Sequence, residues 1–366
     1  MKIIKSIVVN ATALATGGAL TILRQFVSHA SLTNNKYIIF TPSGTVLDSY
    51  PNITYIEVDT SNWLKRIWWD IYGLKKHIKQ HKIDCTLCIS LQNTSINIDC
   101  EQLIYLHQSL PFTTVKYSVS NKTYKFFLYK WFYKFFIFLF ATNTTRFVVQ
   151  TQWMKTALLN SGILETQVSV FTPDITLPTG CDVGEANYYH SNLNSSKQAL
   201  FFYPASSLFY KNHLLLLDAL AFLKGRHLNK TPMLAVTFEQ GSYPTFDAKA
   251  KQLSLVDNIV YLGVIPYEQV IQQYIMSDAV LFPSYIETFG LPLAEAGVLG
   301  KKIICADLPY SRDVLGDFQG VTFLDYQNAY IWAEEMAVVI ESQSMSNFPP
   351  LSFQQRKTWQ DFFAYI

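Results

Sequence analysis

Short apolar runs alternate with stretches of helical period along the whole chain. Residues 2–10, 37–41, 53–58, 84–91, 102–106 and 146–151 are rich in Ile, Val, Leu, Phe and Tyr. A strand that is apolar on both faces is a buried strand, the habit of parallel sheets. A second series follows at 199–203, 233–238, 259–264, 279–282, 302–306 and 321–325. Between the runs, residues 19–30 set Leu20, Leu23 and Val27 on one helical face. Residues 62–82 set Leu64, Ile67, Trp68, Ile71, Leu74 and Ile78 on one face and Lys65, Lys75, Lys79 and Lys82 on the other, which predicts one long amphipathic helix. Strand and helix alternate through the chain twice, with a connector near 174–180. That predicts an α/β protein of two doubly wound, Rossmann-like domains facing across a cleft. The expected boundaries are 1–173 for the first domain, 174–350 for the second, and 351–366 for a tail that returns to the first.

Composition agrees with this division. A chain of 366 residues exceeds one ordinary core. With 49% apolar and only 15% charged residues, it is not a disordered chain. The net charge of +2 conceals an asymmetry: residues 1–180 carry 17 basic against 9 acidic side chains, and residues 181–366 carry 12 against 18. A basic first half suits an anionic partner such as a membrane surface or a pyrophosphate-linked lipid. No nucleic-acid-binding module is recognisable, so no nucleic acid partner is expected. Five cysteines, Cys85, Cys88, Cys100, Cys181 and Cys305, are too few and too scattered for a disulfide framework. Cys85 and Cys88 lie in an apolar run and read as strand thiols, which suits a reducing cytoplasm. The amino terminus has some features of a signal peptide, but Asn10 and two Thr interrupt it, so a first strand is expected. No apolar run reaches the ~18–20 residues of a spanning helix.

Residues 116–141 are nearly all aromatic, aliphatic or Lys. Such a segment is either a helix lying in a membrane interface or a core helix whose lysines reach out to water.

Candidate chemistry sits where strands end. After the run 279–282 comes Glu287-Thr288-Phe289-Gly290-Leu291-Pro292, then a helix bearing Glu295. Pro suits a helix start, and the N–H groups around Gly290 and Leu291 favour phosphate. After 199–203 comes a loop with Lys211 just before the next helix, where a cation can neutralise a diphosphate. The first strand leads into Gly17-Gly18 and a helix, a geometry that lets backbone approach phosphate. No GxGxxG is present, which weighs against a nicotinamide or flavin site.

Two glutamates separated by seven residues around Phe-Gly-Leu-Pro resemble the E-x7-E motif of retaining glycosyltransferases of the GT-B fold, family four, the "group 1" transferases. The resemblance covers nearly the whole chain and is denser in the second half. It implies a GT-B fold, with residues 1–173 on the acceptor side and residues 174–350 on the nucleotide-sugar donor side, and transfer of a sugar from a nucleotide-sugar donor with retention at the anomeric carbon. By the same resemblance, Glu287 and Lys211 act at the reacting sugar and the leaving diphosphate, and His107 reaches the donor sugar. Glu295 takes the ribose hydroxyls, the backbone near Val264 meets the base, and Gly17 and Gly18 approach the diphosphate or acceptor. The loop before Lys211 lacks the Arg common in the family. The Tyr-Pro-Ala…Lys-Asn-His form looks like a branch that reads mannose-type or deoxy-sugar donors. With no Asp-x-Asp in the chain, no metal or other cofactor is expected. The expected partners are the nucleotide sugar, a lipid-linked oligosaccharide acceptor and the cytoplasmic face of the inner membrane, in O-antigen or other surface-polysaccharide synthesis. A sugar-nucleotide epimerase of the same fold and a non-catalytic nucleotide-sugar-binding subunit are the alternatives.

Overall fold

The computed structural model describes residues 5–113, 124–175, 177, 197–342, 348–353 and 356–366. The thiol of Cys181 falls outside these residues, as does much of the connector. The chain forms two compact units. One comprises Met1–Asp174 with Gln355–Ile366, the other Ile175–Gln354.

In the first unit, β1 (Ser6–Asn10) leads to α1 (Gly17–Ser31), β2 (Lys36–Pro42) and β3 (Ile53–Val58). Next come α2 (Trp63–Trp68), a π turn (Trp69–Gly73) and α3 (Leu74–Gln80), then β4 (Leu87–Ser90) and β5 (Glu101–Leu106). The unit continues with α4 (Tyr124–Phe138), β6 (Arg146–Val149), α5 (Gln152–Leu159) and β7 (Val168–Val170). The sheet order is β3-β2-β1-β4-β5-β6-β7, all parallel. Val8 is paired with Ile38 on one side and Cys88 on the other. The order reverses between β1 and β4, so a crevice for ligands is expected at their carboxyl ends.

The second unit runs β8 (Gln198–Tyr203), α6 (His213–Leu223), β9 (Thr231–Val236), α7 (Pro244–Gln252), β10 (Ile259–Tyr261), α8 (Tyr267–Met276) and β11 (Ala279–Phe282). It continues with α9 (Leu291–Val298), β12 (Ile303–Ala306), α10 (Pro309–Leu315), β13 (Val321–Leu324) and α11 (Ala329–Glu341). Its parallel sheet has the order β10-β9-β8-β11-β12-β13, so here the reversal lies between β8 and β11. A final helix, α12 (Trp359–Tyr365), belongs to the first unit.

The chain closes its first core with residues far apart in sequence. Trp359 stacks on Tyr105 at 5.0 Å and meets Phe26 edge-on at 5.9 Å, while its indole N–H donates to Gln25 at 2.8 Å. Phe362 and Ile366 lie in the same buried cluster. The sequence places the start of this tail at 351, but residues 351–353 stay with the second unit. There the Leu351 N–H donates to the Gly297 carbonyl at 2.9 Å, and Phe353 lies 6.3 Å from Phe289.

Three local outcomes differ from the sequence reading or refine it. The helix expected over 62–82 is interrupted by the π turn. The backbone groups it frees are paired: the Asn97 N–H donates to the Asp70 carbonyl at 3.0 Å and its side-chain amide donates to the Ile71 carbonyl at 3.1 Å. Of the aromatic segment 116–141, residues 116–123 lie outside the described residues, and α4 has a buried side and an exposed side. Ile137 is buried in a core cluster with Tyr133 and Phe138 against it, whereas Trp131, Phe132 and Phe135 are 67, 61 and 58% exposed. Finally, the Cys85 sulfur lies 3.0 Å from that of Cys100, and Cys88, on β4, is buried.

Candidate active site

The second unit gathers Lys211 and Glu287 at its sheet reversal. β8 ends at Tyr203, and a loop and a 3-10 turn (Phe209–Lys211) follow. Asn212 then takes a left-handed conformation at φ 61° to start α6. Its side-chain amide donates to the Tyr326 carbonyl at 2.8 Å, which ties down the turn that carries Lys211. β11 ends at Phe282, and the Tyr285 N–H donates to the Tyr210 carbonyl at 3.0 Å. The two loops are thereby joined, and Lys211 Nζ lies 2.5 Å from Glu287 Oε1. Both side chains are mostly buried, at 17 and 15% exposure. The ammonium also sits 5.5 Å from the Tyr210 ring and 6.0 Å from the Phe282 ring. A buried ion pair costs desolvation that its attraction only partly offsets, so its position at a ligand crevice points to chemistry rather than to stability.

Gly290, at φ 81°, begins α9, and the helix takes Leu291 as its first residue and Pro292 as its second. A side chain at position 290 would be strained by that dihedral and would meet Leu293 at 3.4 Å and the Phe282 ring at 3.6 Å. Glu295, one turn on, accepts from the Tyr274 hydroxyl at 2.8 Å and the Tyr267 hydroxyl at 3.2 Å. Burial pushes its carboxyl above the ordinary range, against the lowering effect of the two hydroxyls. The two tyrosines lie on α8 and are not signalled by the E-x7-E string. Val264, past the end of β10, is 93% exposed and stands apart from the ion pair in sequence and sheet position. His213, directly after Asn212, is fully buried, with neither ring nitrogen hydrogen-bonded among the described residues. Burial, helped by the Lys211 charge, holds it neutral with a pKa pushed down to about 3. It packs as an aromatic ring against Tyr203 and Phe238, at 4.6 and 5.1 Å.

In the first unit, Gly17 and Gly18 are exposed at the start of α1, and a Cβ on either would meet nothing within 4 Å. Only Gly17, at φ 59°, uses a conformation that favours glycine. His107 follows β5. Its Nε2 donates to the Leu91 carbonyl at 2.8 Å, and its backbone N–H donates to Asn93 Oδ1 at 2.6 Å. Burial lowers the imidazole pKa, so the ring is held neutral by its own unit.

One cluster went unread in the sequence. Asp70, on the π turn, is aimed at the reversal point between β1 and β4. Its Oδ1 accepts from the Asn10 amide at 3.0 Å and the Gln92 amide at 2.6 Å, and its Oδ2 accepts from the Thr94 hydroxyl at 2.8 Å. Burial pushes its carboxyl up to about 7, although these three donors and the Arg66 charge act in the other direction. An acidic residue inside an amphipathic helix carries no local signal of such a place. Only the polar ends of the two strand runs, at Asn10 and at Gln92 to Thr94, hint at it.

Residues 187–348 match the family described as "Glycosyl transferases group 1". Over 59 residues, 16% of the chain, the sequence is 36% identical to an O-antigen chain mannosyltransferase B of Escherichia coli. That match spans 16% of the relative's length. Among solved structures, a sucrose-phosphate synthase of Thermosynechococcus elongatus superposes with a TM-score of 0.71 at 14% identity, over 99% of this chain and 97% of that one. WaaG, a glycosyltransferase involved in lipopolysaccharide biosynthesis, gives 0.66 at 15% identity, over 94 and 92%. HepE of Anabaena, in complex with UDP and glucose, gives 0.63 at 14% identity, over 94 and 92%. At such identities the likeness is one of fold, the GT-B architecture.

Proposed function

Since residues 187–348 make its carboxy-terminal unit one of the group 1 glycosyl transferases, we propose that the protein is a retaining, metal-independent hexosyltransferase. It moves a sugar from a nucleotide-sugar donor to a lipid-linked glycan in the assembly of a bacterial surface polysaccharide. The observation that carries this reading is the Lys211–Glu287 pair at the reversal between β8 and β11. A departing diphosphate needs positive potential, which Lys211 and the N–H groups at the start of α9 supply. As the diphosphate draws Lys211 towards itself, Glu287 is left with uncompensated negative charge beside the anomeric carbon. That charge favours an oxocarbenium-like state. Glu295 offers two carboxylate oxygens to the ribose hydroxyls in exchange for its tyrosine partners. The 36% identity to a mannosyltransferase over 59 residues favours a mannose-type donor.

The test is thermal unfolding with UDP, GDP, ADP, CMP and dTDP, joined to a transfer assay with and without chelator. One nucleotide should stabilise the protein, by roughly 2.7 kcal/mol at a hundred times Kd, and Glu295→Ala should abolish the shift. Lys211→Ala and Glu287→Gln should each lower turnover about 10²-fold or more, the scale of losing one electrostatic stabiliser. Donor converted with no acceptor present would indicate the epimerase. Binding without conversion would indicate the non-catalytic subunit. Activity abolished by chelator and restored by Mn²⁺ would overturn metal independence.

The exposed rings of α4 supply the membrane contact in this reading. Trp63, at the start of α2, meets Phe136 edge-on at 5.9 Å and is itself 55% exposed, as is Trp68 at 54%. The aromatic surface of α4 thereby reaches α2 at Trp63. No described helix is long and apolar enough to cross a membrane. Sedimentation with phosphatidylglycerol vesicles should carry the protein down at low salt, and Trp131→Ser with Phe135→Ser should leave it in solution. Equal sedimentation of both proteins removes this part of the proposal.

A further inference from the structure

Three of the thiols meet at one edge of the first unit. Cys88 lies on β4 and is fully buried. Cys85, in the segment entering β4, and Cys100, immediately before β5, pack against the same apolar cluster, which includes Val8, Phe40 and Trp69. Residues 85 and 100 are 15 apart in the chain, but β4 and β5 are neighbours, with Leu87 paired to Glu101. Adjacent strands lie ~4.8 Å apart, inside the ~4.4–6.8 Å Cα separation that a disulfide spans. The two sulfurs are 3.0 Å apart and share a hydrogen bond.

The surroundings of this pair favour reaction. Both side chains are half-buried, and Asp84, Thr86, Asp99 and Glu101 around them are exposed, so a small oxidant reaches the sulfurs from solvent. Cys88 and Cys305 are buried, and Cys305 belongs to the second unit. The Cys85 thiol donates to Cys100 and holds it below the ordinary thiol range, against burial, while the same bond and burial hold Cys85 above it. The pair therefore has one nucleophile and one proton donor. Asp99, next to Cys100, opposes a thiolate, but Lys75 at 2.6 Å and Lys79 at 3.9 Å offset its charge. A metal centre is not the alternative. Among the described residues, no group of three or more His, Cys, Asp or Glu could hold an ion.

We infer that Cys85 and Cys100 are a modification site, joined into a reversible disulfide when the protein meets hydrogen peroxide, and that the bond fastens the entry of β4 to that of β5. The Cys100 thiolate attacks one peroxide oxygen. The O–O bond breaks, and the hydroxide released takes up the proton that Cys100 has given up. Cys85 then attacks the sulfur of the sulfenic acid so formed. The S–O bond breaks, and hydroxide leaves as water with the Cys85 proton. Two electrons pass from the sulfurs to the peroxide, and two thiols with one peroxide give one disulfide and two waters. The bond holds both ends of the segment that carries Gln92 and Thr94, the partners of Asp70, and Asn97, which pairs with the π turn. A closed loop restricts the unfolded chain, so oxidation stabilises the first unit. In a reducing compartment such a bond is transient and reports the oxidant.

The test is mass spectrometry on the full chain, treated with a few equivalents of hydrogen peroxide and alkylated without reduction. Cleavage before Asp84 and Asp99 separates Cys85 and Cys88 from Cys100. The two peptides should stay joined, two hydrogens lighter than their free forms. Cys88→Ala should keep the link, and Cys85→Ser or Cys100→Ser should remove it. The oxidised wild type should unfold roughly 6–12 °C above the reduced protein, the scale of closing a loop of this length in a unit of this size. Dithiothreitol should reverse the rise. Cys100→Ser should unfold at one temperature with and without peroxide, and its cooperative curve shows that it folds. A link that persists in Cys85→Ser, a bridge to Cys181, sulfinic acid in place of the bond, or a bond that leaves the unfolding temperature unchanged overturns the inference.

Discussion

At the residue scale, Asp70 makes a prediction that needs no substrate. Its carboxyl titrates near the ordinary value of 3.8 in the unfolded chain and at about 7 in the folded one. Below both values the two states are protonated alike. Between them the folded protein keeps a proton that the unfolded chain has lost, so stability falls as pH rises through this window and levels off above it. The groups facing it are the Arg66 guanidinium, the Tyr133 hydroxyl and the Cys88 thiol. Of these only Arg66 is charged there, and it softens the effect. Relative to Asp70→Asn, the wild type should lose stability between about pH 4 and 7, at up to about 1.4 kcal/mol per pH unit. Urea unfolding of both proteins across that range checks it, and parallel curves would contradict the burial argument. The contrast with Glu287 and Glu295 shows what sequence can disclose about a site. Those two stand in a spaced string with Gly290 and Pro292, so local chemistry announced them. Asp70 is defined by Asn10, Gln92 and Thr94, which the fold brings to it from the end of β1 and the loop after β4.

At the scale of elements, the strands were plain in the sequence because runs such as Ile7–Val9 and Val280–Phe282 are buried on both faces and leave no other reading. The break in the helix over 62–82 was not plain, because its apolar period passes through the π turn without interruption. The turn depends on Gly73. A Cβ there would lie 2.5 Å from the Trp69 ring and 2.8 Å from the Trp68 ring. Replacing Gly by Ala inside a regular helix gains up to about 1 kcal/mol. Here the overlap with two indoles should win, and Gly73→Ala should destabilise the first unit by about 1–3 kcal/mol, the cost of overpacking. Chemical denaturation measures it, and a gain in stability would mean that the segment is an ordinary helix. The same variant should disturb Asp70, three residues away, more than its small size suggests.

At the scale of the whole molecule, α12 is the element with the most leverage. Trp359, Phe362 and Ile366 sit among Phe26, Tyr37 and Tyr105 in the first unit's core. Trp359→Ala should cost about 3–5 kcal/mol, the range for removing a buried aromatic ring. Hydrogen exchange should show the loss in α1 and β5 before it appears in the second unit. Equal loss in both units would mean that they unfold as one. That the tail returns was readable from Trp359, Phe362 and Phe363 in a segment following a completed α/β series. Where it begins was not, because Leu351 and Phe353 are as apolar as the residues after them and differ only in what they touch.

The return of α12 has a consequence for the protein's synthesis. The first unit is complete only when residues 355–366 arrive, and the 180 residues from Ile175 to Gln354 are made in between. At ~5–20 residues per second, that interval is roughly 10–40 s. For that time the nascent chain carries an open apolar seat, with Phe26 and Tyr105 uncovered, while the second unit can already close around its own sheet. A ribosome paused within that stretch should therefore display a hydrophobic site that a chaperone can hold, and release of that chaperone should coincide with the appearance of Trp359.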